Sequence, residues 1–255
     1  MFKRQPSLIK WVNVIALFIV VIMNALANSL PLNNQTTGEI AEALNILFTP
    51  AGYVFSIWSV IYILLAIWVF KQFFSKPKEE EIFENIGYWF VLSCVFNVAW
   101  LLFFHYNFFN LTMAAMGGLL ISLIMIYTKI GSFTKENAVH TIPFSLYLGW
   151  ISVATIVNVG ILFTVNDANQ LLFSDVFWTN TALVLALGIA LVMVLIKQNP
   201  VYPLVFVWAF FGIGIERIDE FISITYTAWF AAMVLLILTV VNIVRHGFFN
   251  RKTYD

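Results

Sequence analysis

The sequence predicts an all-α fold, a polytopic transmembrane bundle of eight helices. The first observation is composition, since 62% of the 255 residues are apolar and only 10% are charged. A soluble domain carries about 25% charged residues, so this composition excludes a soluble enzyme, a nucleic-acid-binding protein and a disordered chain. The second observation is that the apolar residues form eight long stretches without charge. The third is that Lys and Arg lie almost entirely in every second connecting segment.

The eight apolar stretches have the length of membrane spans. Crossing the ~30 Å hydrocarbon core takes about 20 helical residues, and the two shortest stretches reach that length if a flanking turn is added. Lipid offers no partner to open strand edges, so the stretches are predicted as helices and not as strands. The predicted spans are residues 11–29, 53–70, 86–104, 111–127, 142–163, 176–196, 200–215 and 222–244.

The distribution of Lys and Arg predicts the orientation. With the amino terminus inside, twelve of the 13 basic residues lie on the cytoplasmic side and Arg217 alone lies outside. By the positive-inside rule, this predicts a multi-pass protein of the cell membrane with the amino and carboxyl termini in the cytoplasm. The twelve residues are Lys3, Arg4, Lys10, Lys71, Lys76, Lys78, Lys129, Lys135, Lys197, Arg245, Arg251 and Lys252.

The first span allows an alternative. Lys3, Arg4 and Lys10 precede an apolar run that ends in Ala-Leu-Ala at residues 25–27, a pattern that resembles a secretory signal peptide. The run is long enough to cross the membrane, so a retained first helix is predicted. Cleavage would leave seven helices in the same orientation.

Three connecting segments carry a pattern of their own. Residues 39–48 are predicted as a short amphipathic helix on the outer surface. Residues 76–81, Lys-Pro-Lys-Glu-Glu-Glu, are interpreted as a solvated cytoplasmic turn. Residues 216–220 hold four charges and are interpreted as a solvated outer turn whose charges pair with one another.

The spans lack the residues that catalysis and metal binding need. None contains Lys, Arg, Asp or Glu, the usual mark of proton relays and ion coupling in membranes. His105, His140 and His246 lie at span ends without an acidic residue at ligand spacing. The lone Cys94 excludes a disulfide framework and a thiolate metal cluster. No catalytic residue, metal site or required cofactor is therefore predicted.

With charged residues absent from the spans, aromatic and amide side chains are the groups left there that could bind a ligand. Five of the nine Trp lie near span ends and fit the aromatic belts of a membrane interface. These five are Trp11, Trp68, Trp89, Trp178 and Trp229. The other four, Trp58, Trp100, Trp150 and Trp208, lie further in or on patterned faces.

Three spans place such residues at matching depth. Trp58 and Tyr62 are four residues apart on the second span, and Trp150, Ala154 and Asn158 are spaced by four on the fifth. With a rise of ~1.5 Å per residue, Trp58, Asn97 of the third span and Asn158 all lie about 8–10 Å below the outer edge. This arrangement favours a site for a flat apolar ligand, and helix packing is the alternative interpretation.

These residues fall in motifs that resemble the TspO/MBR family of tryptophan-rich sensory proteins and mitochondrial translocator proteins. Residues 49–62, Thr-Pro-Ala-Gly-Tyr-Val-Phe-Ser-Ile-Trp-Ser-Val-Ile-Tyr, resemble the family signature that leads into its second helix. Residues 97–104 are similar to its third-helix Asn-x-x-Trp-x-x-x-Phe, and residues 147–158 to its fifth-helix Tyr-Leu-x-Trp-x-x-x-Ala-x-x-x-Asn. The resemblance covers roughly residues 8–165. It therefore implies a TspO-like five-helix domain over residues 1–165, followed by a segment of three additional spans over residues 166–255.

The resemblance implies a binding function. Such proteins bind porphyrins, haem and sterol- or benzodiazepine-like ligands among five helices, under the loop that follows the first helix. Trp rings would stack on a tetrapyrrole ligand, Asn97 would form one hydrogen bond to it, and Ala154 would allow close approach. Besides the lipid bilayer and this small apolar ligand, a homodimer is the implied partner. Carried over by motif, the ligand-binding residues are Phe55, Trp58, Tyr62, Asn97, Trp100, Trp150, Ala154 and Asn158.

The predicted function is thus an integral membrane sensor or binding protein for a flat apolar ligand such as porphyrin, haem or a sterol. The alternative is a permease or facilitator for a small apolar metabolite, in which Asn180, Gly212 and Gly214 serve a pathway through the last three spans. A third interpretation, an oxidative tetrapyrrole-degrading enzyme, comes from the resemblance alone. It is weakened because Tyr53 stands where the family has Trp.

Overall fold

The computed structural model describes residues 8–29, 32–132, 138–166 and 173–248, and all regular structure in these ranges is helical. The predicted all-α fold class is confirmed. Two short 3-10 helices cover Leu32–Asn34 and Gly52–Ser56. The α-helices are α1 Leu8–Ser29, α2 Thr37–Ala43, α3 Ile57–Lys71, α4 Pro77–Ile86, α5 Trp89–His105, α6 Phe109–Gly131, α7 Ala138–Val165, α8 Asp175–Leu195, α9 Val201–Arg217 and α10 Ile222–His246.

Each predicted span coincides with one long helix, and the chain is a membrane-embedded protein with several spans. In the described ranges six helices are long and apolar enough to cross a bilayer: α1, α3 with its preceding 3-10 turn, α6, α7, α8 and α10. The number rises to seven if α4 and α5, which meet at a bend of 47°, form one span. Helices α5 and α9 have 17 residues each.

The orientation stays a prediction, because it depends on charges along the whole chain. Five of the basic residues used for it lie outside the described residues, as does Asn169 in the connection between α7 and α8, which is predicted to lie outside the cell. The five are Lys3, Arg4, Lys135, Arg251 and Lys252.

Contacts divide the chain into two compact units. Unit 1 comprises Met1–Thr37 and Trp58–Phe144, and unit 2 comprises Gly38–Ile57 and Ser145–Asp255. Helix α7 contributes its first turns to unit 1 and the rest to unit 2. The predicted domains, residues 1–165 and 166–255, follow the motif resemblance along the chain and stay a prediction.

The core of unit 1 is built around Trp68. Its side chain is fully buried and its ring centroid lies 4.9–5.0 Å from those of Phe83, Phe90 and Phe144. Its indole Nε1 donates a hydrogen bond to Nδ1 of His140 at 3.0 Å. The interpretation of Trp68 as a residue of the interfacial belt is therefore wrong. Although it lies near the end of a span, helical periodicity places it on the inner face of α3.

The charged segment at residues 76–81 is the start of a helix and not a turn. Pro77 occupies the first turn of α4, where its missing N–H costs nothing, and Glu79 accepts a hydrogen bond from the Lys76 backbone N–H at 3.4 Å. The next residue, Glu80, forms an ion pair with Lys10 of α1 at 2.8 Å. These partners explain why a run of acidic residues folds as a helix here. The predicted amphipathic helix at residues 39–48 is also present, but it covers only Thr37–Ala43.

In unit 2, helix α9 packs against α7, α8 and α10. Asn199 organises the start of α9, since its Oδ1 accepts hydrogen bonds from the backbone N–H groups of Val201 and Tyr202 at 2.9 and 3.1 Å. Its Nδ2 donates to the hydroxyl of Ser145 on α7 at 2.7 Å. The Tyr202 hydroxyl donates at 2.8 Å to the hydroxyl of Ser152, which lies about two turns after Ser145 on α7. Paired polar side chains of this kind hold helices together where no water is present.

Candidate functional site

Two of the predicted site residues form an aromatic stack in unit 1. Trp58 and Tyr62 lie one turn apart on α3, with ring centroids 5.4 Å apart and ring planes 17° from parallel. Both side chains are half-buried. The Tyr62 hydroxyl oxygen is buried and lies near the side chain of Asn97. The stack therefore presents an aromatic surface next to a buried amide.

Asn97 is held by a residue that the sequence analysis did not assign to the site. Asn24 of α1 donates from Nδ2 to Oδ1 of Asn97 at 3.0 Å and to the carbonyl oxygen of Val20 at 2.9 Å. Asn97 is fully buried and Asn24 is 8% exposed. The amide pair links α1 to α5, and in it Oδ1 of Asn97 is the accepting atom. The signal in the sequence is an Asn in the middle of an apolar span, which is typical of such links.

Trp100, the fourth site residue in unit 1, is buried and stacks on Phe104 one turn later on α5. The two ring centroids are 5.5 Å apart and the planes are 16° from parallel. Phe104 in turn contacts the ring of Phe109 at 6.2 Å. Trp100 thus belongs to an aromatic row at the end of α5.

The remaining four residues lie in unit 2. The ring of Phe55 meets Trp150 edge to face, with centroids 5.7 Å apart and planes at 89°. Trp150 is 2% exposed, and Ala154 lies one turn after it, half-buried. Asn158 is also buried, and its Nδ2 donates to the carbonyl oxygen of Ala154 at 2.8 Å.

Within each unit, the structure brings some of the predicted residues together in one group. The unit 1 group is Trp58 and Tyr62 beside Asn97, and the unit 2 group is Phe55 on Trp150. Their assignment as ligand-binding residues stays a prediction.

Arg217 is not part of a solvated turn, as residues 216–220 were interpreted. It is 8% exposed, and its guanidinium donates from Nε to the carbonyl oxygen of Leu47 at 3.2 Å and from Nη2 to that of Ile46 at 3.4 Å. The interpretation of the turn paired its charges with one another. Instead, the partners of Arg217 are backbone atoms about 170 residues earlier in the chain. Position along the sequence could not reveal this contact.

Gly212 and Gly214, which the permease alternative treats as loosening the helices, sit at close contacts. A Cβ built on Gly212 would overlap Val54, and one built on Gly214 would overlap the indole of Trp229. Trp229 itself donates from Nε1 to the carbonyl oxygen of Phe211 at 3.3 Å and stacks on that ring at 6.1 Å. Trp229 thus packs α10 against α9, and its assignment to the interfacial belt stays a prediction. The observed role of these glycines is close packing.

Within the described ranges, no group of three or more His, Cys, Asp or Glu side chains is placed to hold a metal ion. The polar groups of the two site groups are one amide, one phenol and two indole N–H groups, so the arrangement is suited to binding by stacking and hydrogen bonding.

Comparison with known proteins identifies a family relationship. A model of the TSPO-like protein family matches residues 10–241. This match runs through α8 and α9 and into α10, whereas the motif resemblance stopped near residue 165. Searches of curated proteins and of solved structures gave no match.

Proposed function

Because this chain belongs to the TSPO-like protein family, we propose that it is a membrane sensor or binding protein for a flat apolar ligand of the porphyrin, haem or sterol class. The observation that carries the proposal is the Trp58–Tyr62 stack beside the buried amide of Asn97. Ligand sites are mostly apolar and use few, well-placed polar groups for orientation. A half-buried aromatic pair with one amide and one phenol has that character.

The unit 2 group supports the same class of ligand. Phe55 places its ring at right angles to that of Trp150, so the loop before α3 and α7 together carry an aromatic pair. Aromatic groups in this geometry favour further rings by stacking or edge contact, each worth about 0.5–1.5 kcal/mol beyond the apolar area buried. The proposal includes all eight residues named by the resemblance. It also includes cytoplasmic termini and a homodimer.

The test is a titration of purified protein in lipid nanodiscs with protoporphyrin IX, followed by quenching of Trp fluorescence, with haem and cholesterol as further probes. Saturable quenching is expected. Tyr62→Phe removes one hydroxyl and should weaken binding about fivefold, the equivalent of one net hydrogen bond of about 1 kcal/mol.

The matched control is Tyr226→Phe, since Tyr226 lies on α10 and is 66% exposed. This control should leave the affinity unchanged. A protein that responds saturably to none of the three probes would contradict the proposed function, and equal losses in both Tyr variants would contradict the role of Tyr62.

A further inference from the structure

The stretch between α2 and α3, residues 44–56, here called the loop segment, is fastened to α9 through its backbone. The Ala51 N–H donates to the carbonyl oxygen of Gly212 at 3.3 Å. Trp208 Nε1 donates to the carbonyl oxygen of Val54 at 3.0 Å. Arg217 donates to two further carbonyl oxygens of the segment, as described above. The contacts extend from the start of the segment to the residue before Phe55.

Side chains of the loop segment also fit α7 and α9. Val54 is fully buried and fills the space that the absent side chain of Gly212 leaves on α9. The Tyr53 ring meets Trp208 edge to face at 5.3 Å. On α7, a Cβ built on Gly160 would lie 3.1 Å from Ile46 Cγ2, so this glycine too allows the segment to approach closely. The segment is therefore held by both hydrogen bonds and packing.

The Arg217 contacts matter because their acceptors are carbonyl groups of buried residues without regular helical structure. The Ile46 carbonyl also accepts from the Thr49 N–H at 2.8 Å, so the loss of Arg217 would fall mainly on the Leu47 carbonyl. Ile46 and Leu47 are 8% and 7% exposed. A buried acceptor that loses its donor keeps the full cost of desolvation, and hydrogen bonds from charged donors are the stronger kind. Arg217 is also the last residue of α9, where a cation interacts favourably with the helix dipole.

We propose that α9 anchors the loop segment, with Arg217, Trp208 and Gly212 as positioning residues that hold the Phe55 ring on Trp150. Phe55 follows Val54 directly within the 3-10 helix Gly52–Ser56, so its position depends on how Val54 is fixed. The ligand role of Phe55 and Trp150 rests on the proposed function, whereas the anchoring itself does not. On this proposal α9 serves the ligand site and is not part of a separate pathway.

The anchoring is tested by hydrogen exchange of the loop-segment amides in nanodiscs, without ligand. Arg217→Gln should raise exchange over residues 46–55 by about tenfold to hundredfold, as expected when hydrogen bonds from a charged group are lost. Arg245→Gln is the matched control, because Arg245 is an exposed residue in the last turn of α10. Arg217→Lys keeps a charged donor and should restore part of the protection.

A second pair of variants tests the packing. Gly212→Ala should displace Val54 and raise exchange in the same segment. Gly188→Ala, a helical position of α8 with nothing within 4 Å of the added Cβ, should leave that exchange unchanged. Trp208→Phe removes the indole donor to Val54 and keeps an aromatic ring, so it should give a smaller increase in exchange. Unchanged exchange in the segment, or an equal increase across the whole chain, would overturn the anchoring.

Binding of protoporphyrin IX then tests the link to the site. Arg217→Gln should speed ligand dissociation about tenfold, with partial recovery in Arg217→Lys and none of the effect in Arg245→Gln. Failure of the wild-type protein to bind the porphyrin would count against the proposed function, while the exchange data would still decide the anchoring. If Arg217→Gln raises exchange in the loop segment but releases the porphyrin at the wild-type rate, the positioning role is overturned.

Discussion

The amide pair of Asn24 and Asn97 gives the sharpest prediction about how unit 1 holds its site. Both residues lie within apolar helices, and the 3.0 Å hydrogen bond between their side chains joins α1 to α5. Leu has the same branched arrangement of heavy atoms as Asn, so Asn→Leu removes the bond and keeps the outline of the side chain. The extra bulk of its methyl groups is a cost of each single variant that the double-mutant comparison subtracts. We expect each single substitution to destabilise the protein, and the double substitution to cost less than the sum of the two.

The magnitude follows from hydrogen bonding inside membranes. Such side-chain bonds contribute about 0.6 kcal/mol on average and up to about 1.7 kcal/mol. The Asn24–Asn97 pair is nearly excluded from solvent, with exposures of 8% and 0%, so its coupling energy should fall in the upper part of that range. The free energy of unfolding in mixed micelles, measured by circular dichroism for the wild type, the two single variants and the double variant, gives this coupling.

The control is a second cycle that pairs Asn24→Leu with Asn13→Leu. Asn13 lies on the same helix eleven residues away, about 16 Å along the axis, and bonds Gln72 instead. This cycle should be additive. Additivity within about 0.3 kcal/mol in the Asn24–Asn97 cycle as well would refute the reasoning, because the bond would then contribute nothing measurable.

Three further predictions concern the two units and the membrane. Trp150→Ala should lower porphyrin affinity at least about tenfold, since stacking and apolar area are both lost, whereas Trp229→Ala should lower the melting temperature and leave the affinity unchanged. Equal affinity losses in both variants would contradict this. Trp68→Phe should destabilise the protein by about 1–3 kcal/mol in the same unfolding assay, because His140 loses the donor to a buried nitrogen; an unchanged free energy of unfolding would show that the bond is unimportant. Reporter fusions at Asn34 and Asp219 should lie outside the cell, and either one found inside would break the predicted orientation.

Hydropathy predicted the helices well because it reports the solvent that a stretch of chain prefers. Each of the eight apolar stretches became a helix, and the helix ends differ from the predicted ends by a few residues in either direction. Helix α4 was missed since its acidic residues suggested solvent. Its fold depends on Lys10 of α1 and Lys71 of α3, which form ion pairs with Glu80 and Glu79, and such tertiary partners are not visible in local composition.

The site was predictable where its contacts are local in sequence. The Trp58–Tyr62 stack joins residues four apart on one helix, so periodicity alone predicted it. The Asn24–Asn97 bond joins residues 73 apart, and the Arg217 contact with Ile46 joins residues 171 apart. Composition can show that a buried amide or cation needs a partner, but only the packing of the helices decides which atom supplies it.

Helix α9 illustrates how two neighbouring glycines can hold two different partners. Gly212 and Gly214 are two residues apart, so they face directions about 200° apart on the helix. Gly212 admits Val54 of the loop segment, and Gly214 admits Trp229 of α10. A side chain of another element fills the space at each position, so the glycines bring the loop segment and α10 into close contact with opposite faces of the same helix.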